Sequence, residues 1–225
     1  MRHSVIRADL LIIGVALIMV VFLPEYVLGL PVIQELLYDD PGADGEAIFT
    51  EIFGPPGMNL DGWKLVGVNG TDGNIYRTVS LTGAVIPSDG ILVIVTSLAA
   101  GNVLANQDFI GNVDWQNGPD AVQLRNSLGN VIDALQYGDA GANNAGEGAP
   151  APLINSPGQS LSRDILGTDA NDNLDDFIIL NVPTPGIGPS IPSSPVPEPE
   201  TILLLGTSLI CWLSYSWYRW RRVSK

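Results

Sequence analysis

Short apolar runs of four to nine residues recur from residue 32 to residue 180, each closed by glycine, proline, asparagine or aspartate. That punctuation leaves no stretch long enough for an amphipathic helix of more than two turns, and it constrains the middle of the chain to short strands and tight turns. The 25 glycines and 17 prolines supply most of the breaks. Strands are predicted over 32–38, 47–53, 60–68, 75–81, 91–96, 121–124, 131–137, 160–163 and 177–180. Period-two alternation puts Ile48 and Thr50 on one face of the second and Phe49, Glu51 and Phe53 on the other. Asn69-Gly70 and Asp72-Gly73 are hairpin turn signals. Ile91 to Thr96 is apolar without alternation, as in a strand buried on both faces. The Gly-, Ala-, Asn- and Pro-rich stretch 139–157 has little means of ordering itself. About nine strands with turns between them predict an all-β, immunoglobulin-like β-sandwich.

The two ends have a different composition. Arg2, His3 and Arg7 precede an apolar stretch from Leu10 to Leu23, broken by Pro24, and Val27-Leu28-Gly29 suits a signal peptidase. Residues 1–29 therefore read as a secretory signal peptide delivered to the Sec machinery, with an uncleaved signal anchor as the alternative. At the other end Thr201 to Tyr218 forms an 18-residue apolar run. As a helix it would extend about 27 Å, close to the ~30 Å hydrocarbon core of a bilayer. Arg219, Arg221, Arg222 and Lys225 follow it, and cations favour the cytoplasmic side. A Pro-rich linker with Pro197-Glu198-Pro199 fills residues 183–200. Motif, span and basic tail in this order resemble the PEP-CTERM sorting signal of bacteria with two membranes, a plain membrane anchor on a proline stalk being the alternative. The resemblance implies recognition and cleavage by exosortase, a membrane-embedded transpeptidase-like enzyme, often alongside exopolysaccharide production. The expected itinerary is export across the inner membrane, transient anchoring there through residues 201–225, then release to the cell surface or beyond.

Between these signals lie about 168 residues with four cations, Lys64, Arg77, Arg125 and Arg163, against twenty carboxylates. Such a domain is repelled by nucleic acid and suits divalent cations. The lone cysteine, Cys211, lies in the C-terminal run, so the exported part holds no disulfide and no thiolate chemistry. It also holds no histidine, which removes Ser-His-Asp and Cys-His catalysis and imidazole zinc sites. The expected protein is not an enzyme.

Residues 30–182 read as the sandwich domain, and a second resemblance spans nearly the whole of 31–188. Ile33 to Asp39, Phe49-Thr50-Glu51-Ile52, Leu60-Asp61-Gly62-Trp63-Lys64-Leu65, Asp120 to Leu124, Asp133 to Gly138, Ser160-Leu161-Ser162-Arg163 and Pro183-Thr184-Pro185-Gly186 occur in the order seen in the lamin tail domain. Gln34, Thr50 and Gly54 depart from its usual residues. The family implies an immunoglobulin-like sandwich used as a binding or structural module, with Glu35, Glu51 and Trp63 at motif positions.

Three sets of residues are candidates for chemistry. Glu35 and Glu51, on neighbouring strands, are the leading carboxylate pair for a glycan-acting enzyme; the alternatives are a metal or ligand contact, or satisfaction of backbone or turn groups or exposure to solvent. Asp169, Asn171, Asn173 and Asp175 alternate as in a calcium loop, although Leu174 stands where such a loop needs glycine. A calcium-dependent adhesion or scaffolding module is the corresponding function, and a solvated Asx turn the plainer reading. Asp39, Asp40, Asp44 and Glu46 form a second acidic turn. Trp63 is expected as a plug between sheets, and Trp115, in a polar loop, as a loop anchor or an exposed contact for carbohydrate or an envelope protein.

Overall fold

The computed structural model describes residues 29–42, 45–139, 141–164 and 167–187. The expected signal peptide up to residue 28, and the linker, span and basic tail from 188 onward, lie outside the described residues. Among the described residues no helix is long and apolar enough to cross a membrane.

Among the described residues ten strands form: β1 (Val32–Leu37), β2 (Phe49–Phe53), β3 (Lys64–Asn69), β4 (Ile75–Ser80), β5 (Ile91–Val95), β6 (Phe109–Ile110), β7 (Asp120–Arg125), β8 (Val131–Tyr137), β9 (Ser160–Arg163) and β10 (Phe177–Leu180). Two short helices, α1 (Gly101–Ala105) and α2 (Asn173–Asp176), interrupt them. The nine expected strands are all present. The third starts at Lys64 rather than Leu60, because the chain turns first: the Trp63 N–H donates to the Leu60 carbonyl at 2.9 Å, and Gly62 adopts φ +78. The unexpected strand is β6, only two residues long and parallel to β5.

The strands assemble into two layers. One sheet has the order β10-β9-β1-β2-β5-β6, the other β4-β3-β7-β8. An all-β sandwich was expected and is found. Every pairing except β5 with β6 is antiparallel. The β3–β4 hairpin closes as its residues dictate: Gly73, at φ +76, donates to the Asn69 carbonyl at 2.7 Å, while the Asn69 and Asp72 side chains take the N–H groups two residues on.

Leu36, Ile52, Leu65, Val122, Leu124, Leu135 and the whole of β5 are buried in one core. The loop from β6 to β7 crosses between the layers and carries Trp115 into it. Trp115 is 2% exposed, and its indole N–H donates to Thr50 Oγ1 at 2.9 Å. It is a loop anchor and not an exposed sugar platform. The space for it comes from Gly67: a Cβ there would lie 2.6 Å from Tyr76 Cζ and 3.0 Å from Trp115 Cε3. Trp63 is half-buried and packs on the edge of the same core.

The segment after β8 differs from expectation. Residues 141–157 form an ordered cover on the outer face of β3, β7 and β8, where Val66, Val68 and Ala121 make a small apolar cluster packed by Ala145. Side-chain amides fix it: Gln136 Oε1 accepts the Ala145 N–H at 3.0 Å, and Gln123 Nε2 donates to the Ala145 carbonyl at 2.6 Å. Glycine makes the approach possible, since a Cβ on Gly146 would fall 2.4 Å from the Gln136 nitrogen. The composition that argued against order is what lets the backbone lie flat on the sheet.

Replacing Gly67 by Val forces a branched side chain into the room held by Tyr76 and Trp115. A loss of about 1–3 kcal/mol is expected in chemical denaturation, the cost of overpacking a filled core.

Candidate functional site

Glu35 and Glu51 are brought together. They are cross-strand partners in the β1–β2 register, beside a bulge between Ile33 and Glu35. Alternation places Glu51 on the face of β2 opposite Thr50, whose hydroxyl faces the core. On that outer face both carboxylates are fully buried, because the chain after β10 runs back across them. Glu35 accepts three hydrogen bonds, from Ser160 Oγ (2.6 Å), the Thr184 N–H (3.0 Å) and Thr184 Oγ1 (2.6 Å). Glu51 Oε1 accepts the Gly186 N–H at 2.6 Å, while its Oε2 has no partner among the described residues. The packed chain therefore runs to Gly186, past the boundary at 182 read from the sequence. Burial pushes the Glu51 carboxyl up to about 8, and the Glu35 charge adds to the effect; the Gly186 N–H opposes it, and Asp108 and Asp89 add smaller repulsions. Glu51 thus carries a proton at neutral pH. A sealed pair of this kind offers no position for a sugar between its oxygens; it satisfies backbone groups of its own chain.

The 169–175 alternation does not converge on a common point. Asn173 is turned inward and fully buried: its Oδ1 accepts the Gln136 and Glu147 N–H groups at 2.8 and 3.0 Å, and its Nδ2 donates to the Ala134 carbonyl at 2.8 Å. Asp169 takes the Asn171 N–H, with Asn171 at φ +56 in an Asx turn. Asp175 is exposed. Asp172, outside the proposed set, caps α2 by accepting the Leu174 N–H. In the other acidic turn Asp40 accepts the Gly42 and Ala47 N–H groups, and Asp44 lies outside the described residues.

The strongest electrostatic feature centres on Arg163, which the sequence offered as one of four cations and as part of a family motif. Its side chain is fully buried. It pairs with Asp133 at 2.8 Å, Asp176 at 2.9 Å and Asp169 at 3.5 Å, and donates to the Ile33 and Thr168 carbonyls, each at 3.0 Å. Its guanidinium lies 4.5 Å from the Phe177 ring centre. Glu147 completes the group, since one oxygen each from Asp133, Glu147 and Asp169 lie within 4.8 Å of one another. Burial pushes Glu147 up to about 7, helped by the Asp133 and Asp169 charges and opposed by Arg163. Burial also raises Asp133, against the pull of Arg163 and two amide donors. The sequence signal available for this cluster was a lone cation in a strand of an acidic domain. Its partners lie as far as 30 residues away at Asp133 and 130 at Ile33, too far for any local pattern.

Pro197, Glu198 and Pro199, and the cations Arg219, Arg221, Arg222 and Lys225, lie outside the described residues. Residues 195–222 match the PEP-CTERM protein-sorting motif. The motif implies exosortase processing, export and sorting to the cell surface. Neither a curated protein nor a solved structure matches the chain.

The raised groups set a sign for pH dependence. Native Glu51 keeps its proton up to about pH 8, whereas the unfolded chain loses it near the ordinary 4.5. Between those values the unfolded state binds fewer protons, so stability falls as pH rises, by up to ~1.4 kcal/mol per pH unit from this group alone. Denaturation of the wild type from pH 5 to pH 8 is expected to show that decline, and Glu51→Gln to reduce its slope.

Proposed function

We propose that this chain is an exported, non-catalytic lamin-tail-like module that exosortase sorts to the cell envelope or extracellular matrix, where it has a binding or structural role linked to exopolysaccharide. The observation that carries the reading is the PEP-CTERM match at residues 195–222, at the end of an acidic all-β sandwich. The lamin-tail assignment draws support from space as well as sequence. Glu35, Glu51, Ser160 and Thr184 to Gly186 belong to four separate motif pieces, and they meet in one hydrogen-bonded cluster. Burial of that carboxylate pair supports a non-catalytic role and counts against a carboxylate-based glycan-acting enzyme. A signal peptide cleaved after Gly29, passage through Sec and transient anchoring by residues 201–218 complete the itinerary.

A calcium-dependent adhesion module is the second reading. The approach of Asp133, Glu147 and Asp169 favours it, and the Arg163 charge in the same cluster works against cation binding.

Fractionation with intact-mass measurement tests the main reading. The mature product is expected in the surface or secreted fraction with a mass lacking Cys211, and Glu198→Ala is expected to retain the full C-terminus in the inner membrane. A wild-type product that stays in the inner membrane with Cys211 overturns it.

A further inference from the structure

The carboxylate pair has a consequence for the tail, and the inference rests on the sorting reading above. Thr184 and Gly186 are the last residues held to the sandwich by hydrogen bonds among the described residues, and every one of their side-chain partners is Glu35 or Glu51. Only residues 187–194 separate them from the sorting motif, roughly 30 Å at full extension. Gly186 is built for the contact. It adopts φ +79, and a Cβ there would lie 3.1 Å from Asn106 Cβ, so the corner is wedged between β2 and the segment after α1.

The charges around the pair are all of one sign. Glu35 stands on β1, Asp108 precedes β6 and Asp89 precedes β5, while the 184–186 corner brings only N–H groups and a hydroxyl. Among the described residues no cation contributes to the field at Glu51. Two buried carboxylates facing each other without a cation cannot both ionise without strong repulsion. One proton is therefore part of the arrangement.

We infer that Glu35 and Glu51 clamp the corner Thr184–Gly186, fixing where the sorting tail leaves the sandwich, and that the clamp opens when both carboxylates are charged. In the closed form the tail begins at residue 187. Asn181 stays tied to Gln159, so in the open form residues 182–186 join it and lengthen the tether by roughly 17 Å at full extension. The rise of the Glu51 carboxyl to about 8 puts the opening on the alkaline side of neutrality.

Amide hydrogen exchange on the purified full chain in detergent tests the clamp, read as protection factors at Thr184 and Gly186 at pH 6 and pH 9.5. The wild type is expected to protect both amides at pH 6 and to lose about tenfold or more of that protection at pH 9.5, while amides of β3 and β7 stay protected. Glu51→Gln keeps an acceptor for the Gly186 N–H but cannot ionise, so its protection is expected to be equal at the two pH values. Glu51→Ala is expected to lose Gly186 protection at both. Should Glu51→Ala fail to fold, Thr184→Ser and Thr184→Val give the same reading at Glu35: the hydroxyl-bearing variant keeps the protection of Thr184 and the isosteric one loses it. Unprotected Gly186 in the wild type at pH 6 overturns the clamp. Equal protection at both pH values in the wild type overturns its opening by charge. No exosortase takes part, so either failure leaves the sorting reading intact, and failure of sorting in cells leaves the clamp intact.

Discussion

The sandwich depends on how one interrupted β-ladder is finished. β1 pairs with β9 only at Glu35–Ser162 and Leu36–Leu161. Beyond that point the N–H and C=O of Ile33 would be left buried without partners, at a cost comparable to a lost hydrogen bond each. Asp133 and Arg163 fill the gap: the Asp133 carboxylate accepts the Ile33 N–H, and Arg163 Nε donates to the Ile33 carbonyl. Asp133 belongs to the other sheet. The pair thus completes one sheet's hydrogen bonding while tying it to the second. At the far end of the same two strands, the Tyr38 and Tyr137 rings meet at 4.3 Å. The two contacts fix β1 across β8 in a single register.

Two of the buried carboxylate clusters are treated oppositely. Around Arg163, three aspartates share one guanidinium whose donors also reach two backbone carbonyls, so the charge stays inside with its partners. Around Glu51 no cation contributes among the described residues, and a proton removes the charge instead. The first cluster joins sheet to sheet and belongs to the rigid scaffold. The second joins the sheet to the end of the domain, next to the PEP-CTERM segment.

The strands were legible in the sequence because glycine, proline, asparagine and aspartate act locally: the β3–β4 turn uses the residues that announce it. The pairing of Glu35 with Glu51 was legible for the same reason, since both lie in strongly patterned strands. The ordered cover over 141–157 was not, because its order comes from Gln123, Gln136 and Asn173, side chains from other elements that bond its backbone. Within the calcium-like spacing at 169–175 one position also answers to distant partners: Asn173 is drawn inward by the Gln136 and Glu147 amides. Trp115 looked polar in context, yet its room was made by Gly67 some fifty residues earlier. In each case a long-range contact overrode a local pattern.

The most direct test of the account is a double-mutant cycle on the bond between the sheets, using Arg163→Met, Asp133→Asn and the pair, with unfolding free energies measured in urea. Removing either partner leaves a buried group uncompensated, so each single change is expected to cost about 3–5 kcal/mol, and the pair much less than their sum. Two costs that add to within ~0.5 kcal/mol would mean that Arg163 and Asp133 do not act as a unit, and would contradict the account.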